Sequence, residues 1–187
     1  MEETERISFH DQIQKNKIKS IILIVIIIAF FILLGYVIAV LIDPSYFFII
    51  MIISIIFSLS YTWYGYYNSD KIALRSVNAY PASPTEHRQY FNSVEGLCLA
   101  SGLPMPRLFV MPGEQINAFA SGRDLKNAVI CVTEGSLRKL NKQEMEGVLA
   151  HELSHIANYD IRFMTLTAVL VGMVAIIAEI FLRSIWF

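Results

Sequence analysis

The sequence predicts an α-helical membrane protein carrying a small α+β domain, with one helix of that domain set beside a short β-sheet. Three observations carry this. Two long uncharged stretches, Ser20 to Ile42 and Pro44 to Ser69, are separated only by Asp43. A mixed helix and strand pattern follows over residues 70–162. The five residues His151-Glu152-Leu153-Ser154-His155 then form an HExxH pattern inside a segment that reads as helix.

Each uncharged stretch exceeds the roughly 20 residues that a helix needs to cross a bilayer. Hydrophobic residues make up 55% of the chain and charged residues 17%, which fits a membrane protein. The first stretch is too long for a signal peptide and lacks a small-residue cleavage site. Asp43-Pro44-Ser45 is short enough to make the two spans a tight hairpin over residues 20–69. Lys15, Lys17 and Lys19 precede it, Lys71 and Arg75 follow it, and the turn has no basic residue. The positive-inside rule then places both outer ends in the cytoplasm, with residues 1–19 as a tail.

Residues 70–162 are the soluble part, with ten basic and ten acidic residues, and offer no nucleic-acid footprint. Cys98 and Cys131 are the only cysteines and lack metal-pair spacing. In a reducing cytoplasm they should be free thiols. Tyr90, Val94, Leu97 and Cys98 recur at helical spacing within Pro84 to Ser101, and Gly102-Leu103-Pro104 stops that helix. Arg107 to Met111, Ile116 to Ala120 and Ala128 to Thr133 read as strands. Asn141 and Glu144 form a capping-box start for the motif helix, and Asn158 marks its end.

Positions four apart on a helix share one face, so His151 and His155 can aim ring nitrogens at a single ion. Zinc takes such neutral nitrogen ligands. Glu152, beside the metal, can accept a proton from an activated water and later pass it to a leaving amine. Val148, Leu149, Leu153 and Ile156 give the same helix a buried stripe, which favours a metal site over an accidental pair of surface histidines. Residues 163–187 hold a third apolar segment, with Glu179 and Arg183 four apart and able to pair.

The chain resembles the HtpX family of membrane zinc metalloproteases, related to the CAAX prenyl proteases. The resemblance rests on the amino-terminal hairpin, Pro104 to Val110, Asn117 to Gly122, Val132 to Gly135 and the run Glu144 to Asp160. It implies a small cytoplasmic zinc-metalloprotease domain in the inner cell membrane. Zn2+ would be held by His151 and His155, with Glu152 as the catalytic base. Asn117, Ala118, Phe119 and Ala120 resemble the family's edge strand, where an extended peptide substrate could pair. The implied partners are polypeptides, in particular misfolded membrane proteins, and the lipid bilayer. Asp160 resembles the Asp after the second His. It could hold a ligand His, or simply pair with Arg162 at the helix end.

A catalytic zinc wants three protein ligands plus water. The family's third is a Glu on a later helix, expected beyond Phe187. Glu179 lies about 25 Å up the axis if residues 162–179 form one helix, too far for a ligand. The contrasting expectation is an inactive membrane fragment with a two-His site.

Overall fold

A computed structural model of the 187-residue chain describes residues 9–42, 44–168, 170, 171 and 174. The first element, α1, runs unbroken from Phe9 to Ile42, so part of the stretch expected as a tail is helix. At about 1.5 Å per residue its 34 residues reach about 51 Å, well beyond the ~30 Å apolar thickness of a bilayer. A single 3₁₀ turn at Pro44–Tyr46 leads into α2, Phe47–Tyr67. Ile13–Leu41 and Phe47–Tyr67 are both long and apolar enough to cross a membrane.

The two helices pack along each other, and their outward side chains stay exposed: Leu41 and Phe48 are each 78% accessible. Such surface suits lipid and not water. On the inner side Leu23, Ile27 and Phe31 form a small core with Tyr61 and Tyr66 of α2. Phe163 and Leu166 join that core from a further helix, α7, described over residues 160–168. The expected third membrane segment, residues 163–187, otherwise lies largely outside the described residues, as do Glu179 and Arg183.

A short helix, α3 (Ser69–Ser76), follows α2 directly. Asn78 ends it in the left-handed region at φ 53°, and the Ala79 amide caps the Leu74 carbonyl at 2.9 Å. Its buried Asp70 pairs with Arg107 and so fastens the apolar hairpin to the sheet.

The sheet has four strands: β1 (Tyr80–Pro81), β2 (Arg107–Met111), β3 (Ala118–Ser121) and β4 (Val129–Thr133), in the order β1-β2-β4-β3. β2 and β4 run parallel, and β1 and β3 flank them antiparallel. β2 begins and ends where the sequence predicts. β3 starts two residues later than expected, because Ile116 is 54% exposed and Asn117 is drawn aside. Its amide donates to Thr133 Oγ1 and Ser136 Oγ, at 3.2 and 2.9 Å.

Period-two alternation divides the strands between two faces. Leu108, Val110, Ile130 and Val132 meet Tyr90, Val94, Leu149 and Leu153 in the main core. Met111, Val129 and Cys131 meet Leu74 of α3 on the other side. Helix α4 (Arg88–Ser101) starts four residues later than the sequence suggests. Residues 84–87 instead make a turn held by the Ser83 amide donating to His87 Nδ1 at 3.0 Å. Gly102 closes α4 at φ 69°, as expected. A short helix, α5 (Glu134–Lys139), connects β4 to the motif helix.

Candidate metal centre

The motif helix, α6, spans Lys142–Ala157. Asn141 Oδ1 accepts from the Glu144 amide at 3.0 Å, and Glu144 Oε2 accepts from the Asn141 amide at 2.9 Å. Two otherwise orphaned donors are thereby satisfied, which fixes where the helix begins. Met145, Leu149, Leu153 and Ile156 are buried at helical spacing and seat α6 on α4 and β3. Full burial of each such side chain stabilises the helix by about 1.5–3 kcal/mol. His151 is exposed on the face turned away from that stripe, with half-buried His155 one turn on, while half-buried Glu152 lies on the flank between them and the stripe.

On that face the two histidine Nε2 atoms stand 3.2 Å apart. Bonds of about 2.0–2.1 Å at the tetrahedral angle would separate two zinc-bound nitrogens by about 3.3–3.4 Å. The rings meet edge to face, with centroids 4.7 Å apart. The pair therefore fits two corners of a zinc tetrahedron. Among the described residues no group of three or more His, Cys, Asp or Glu gathers at one point.

The chain leaves α6 through Asn158 and Tyr159, the latter at φ 59°. A left-handed residue other than glycine is costly, by about 1–2 kcal/mol. The reversal returns Asp160 to the helix it has just left. Asp160 Oδ2 then accepts from His155 Nδ1 at 3.0 Å, which leaves Nε2 free to face His151. The two sequence readings of Asp160 thus separate. It does not pair with Arg162, whose guanidinium lies 5.2 Å over the Tyr66 ring.

β3 is an outer strand of the sheet. Its inner edge pairs with β4, Ala118 opposite Val132 and Ala120 opposite Ile130. Phe119, Ala120 and Ser121 line a cavity of about 500 Å³ together with Tyr64 of α2, Ile72 of α3 and Met164 of α7. Asn117 lies just before the strand, and its carbonyl accepts from the Thr133 amide at 3.0 Å.

Tyr90 is buried behind the site and donates to the Ile130 carbonyl at 3.0 Å. Burial pushes its phenol well above the ordinary value, with the charges of Cys131 and Glu152 adding to the effect. Both cysteines are free, as expected; both are also buried, and burial pushes the Cys131 thiol up to about 12.

Sequence reasoning missed Asn16. This residue of α1 donates from Nδ2 to Asp160 Oδ1 and, at 3.1 Å, to the Asn158 carbonyl. No local pattern could link positions so far apart along the chain.

The chain thus seats an HExxH helix on a mixed sheet and joins it to two apolar helices. The model of peptidase family M48 matches residues 84–185, more than half of the chain, and the chain belongs to that family. It is 48% identical over 131 residues to the Protease HtpX homolog of Thermoanaerobacter pseudethanolicus, an alignment covering 70% of this chain and 44% of that protein. It is 38% identical over 180 residues to the Protease HtpX homolog of Dictyoglomus thermophilum, covering 96% of this chain and 59% of the relative. The protein of the same name from Thermococcus sibiricus is 43% identical over 129 residues, covering 69% and 44%. The chain spans about half the length of these curated relatives.

Proposed function

We infer that this chain carries the HExxH helix of a membrane-bound, zinc-dependent endopeptidase. The observation that carries this is the pairing of His151 and His155 Nε2 at 3.2 Å, with Nδ1 of His155 held by Asp160. These two histidines would hold the ion, with a third ligand supplied from beyond the described residues. Zinc, when bound, supplies Lewis acidity and lowers the pKa of water toward neutrality.

This chain's own contribution is proton handling and orientation. Glu152 follows the first ligand and has no ion-pair partner among the described residues. Its carboxylate accepts the proton of the attacking water and returns it to the leaving nitrogen, as a general base and then acid. The open edge of β3, with Ala118, Phe119 and Ala120, binds the substrate backbone as an added strand, and Asn117 sets its start. Main-chain pairing tolerates many sequences, which suits unfolded or damaged membrane proteins as substrates. Lys15, Lys17 and Lys19 at one end of the hairpin, and Lys71 and Arg75 at the other, orient the site toward the cytoplasm in a multi-pass inner-membrane protein.

The experiment is zinc content and cleavage of an unfolded model substrate by the full-length protein in detergent, with His151→Ala and His155→Ala as controls. Loss of both metal and cleavage in each variant is expected. Zinc that stays stoichiometric in the doubly substituted protein would refute the assignment.

A further inference from the structure

We propose that Asn16, on the amino-terminal helix, is a positioning residue for the metal centre, so that the membrane hairpin sets the orientation of a ligand and does more than anchor the domain. This rests on the metal-site reading above.

The argument starts from what Asn16 touches. Its Nδ2 donates to Asp160 Oδ1, while Asp160 Oδ2 accepts from His155 Nδ1. One carboxylate thus joins an amide on α1 to a ring on α6. Nδ2 also donates to the Asn158 carbonyl at 3.1 Å, at the end of α6. Both partners are acceptors, so the amide nitrogen, not its oxygen, faces them. Asn16 is itself held in the helix, where Ser20, fully buried, donates to its carbonyl at 2.8 Å.

Two neighbours of Asp160 in the chain, Tyr159 and Arg162, make cation–π contacts with the apolar helices. Lys17, next to Asn16, lies 4.7 Å over the Tyr159 ring. Arg162 lies 5.2 Å over Tyr66 near the end of α2. The turn that carries Asp160 is therefore held by the adjoining ends of both apolar helices. A carboxylate hydrogen-bonded on one oxygen alone can rotate about its χ2. A donor on the other oxygen removes that freedom and fixes the ring it supports.

Two chemical expectations follow. Removing the donor should loosen the His155 ring without removing a ligand. Replacing it with a carboxylate should do more harm, because Asn16→Asp would set two acceptors and two negative charges against each other.

The test uses the full-length protein in detergent. The zinc dissociation constant is measured by competition with a chelator, and the visible spectrum of the Co2+-substituted protein reports ligand geometry. Asn16→Ala should weaken zinc about 10-fold, the lower end for loss of an outer partner, and alter the Co2+ spectrum. Asn16→Asp should weaken it further, and Lys15→Ala on an exposed turn of the same helix should match the parent. In an Asp160→Ala background, Asn16→Ala should add less than about twofold, the mark of residues acting through one another. Parental zinc affinity in Asn16→Ala, or an equal loss in both backgrounds, would overturn the proposal alone, since the latter pattern marks a general loosening of the fold. A His151→Ala protein with parental affinity would overturn the metal-site reading beneath it.

Discussion

Asp160 returns through a left-handed Tyr159 to meet the helix that precedes it, and its Oδ2 stands 3.0 Å from His155 Nδ1. The carboxylate fixes both the tautomer and the plane of that ring, with Nε2 turned to His151. Asp160→Ala in the full-length protein should therefore reduce zinc affinity by about 10–100-fold while leaving α6 folded. Chelator competition gives the affinity and far-ultraviolet circular dichroism the helix. Unaltered affinity would mean that His155 needs no such support.

Glu152 separates binding from chemistry. It sits between His151 and His155 on α6 but is not one of the pair that meet at 3.2 Å. Glu152→Gln should keep zinc at the parental level, while cleavage by the full-length protein falls by about 10²–10⁴-fold, as for loss of a general base. Metal content and turnover measured on the same sample test both halves. Parental turnover would remove Glu152 from the reaction.

Local signals in this chain were legible and distant ones were not. The capping box of Asn141 and Glu144, the stop at Gly102 and the strand Arg107–Met111 all sit where short-range rules put them. The helix Ser69–Ser76 was hidden because it continues an apolar span with only two turns of its own. The two-residue β1 is too short to show a period. The parallel pairing of Arg107 with Val129 follows from the whole sheet and from no single segment. In the candidate centre, HExxH announced three residues. The choice between two partners for Asp160 needed the turn at Tyr159, and Asn16 needed the packing of α1 against it.

Cys131 supplies a pH-dependent prediction. Its thiol lies fully buried in β4, and burial raises it from 9.0 to about 12. Between these values the folded state keeps a proton that the unfolded state has lost. This contribution to stability is complete below pH 9 and falls away as the pH rises toward 12. Cys131→Ala should flatten the alkaline limb of a stability curve, although the smaller side chain lowers stability at neutral pH. In the folded protein at pH 8 the Cys131 thiol should resist iodoacetamide and react once denaturant is added. Rapid alkylation of the native protein would contradict the burial.

Gly35 of α1 packs directly against Ser54 of α2 within the hairpin. A Cβ built on Gly35 would lie 2.0 Å from Ser54 Oγ and 2.5 Å from Ser54 Cβ. Rotating the hydroxyl removes only the first clash, so any side chain at position 35 forces the helices apart. Small residues at such crossings let backbones pack closely where lipid offers no hydrophobic drive. Overpacking of this kind costs about 1–3 kcal/mol. Gly35→Ala should therefore lower the thermal midpoint of the protein in detergent, and Gly35→Leu should lower it more. Ser54→Ala should not rescue Gly35→Ala, because the Ser54 Cβ remains, whereas Ser54→Gly should rescue it in part. The hairpin also carries Asn16 at its near end, so Gly35→Leu should weaken zinc along with stability, while Gly35→Ala should affect stability first. Differential scanning fluorimetry across this series checks the order. Rescue by Ser54→Ala equal to that by Ser54→Gly would show that the hydroxyl alone sets the spacing.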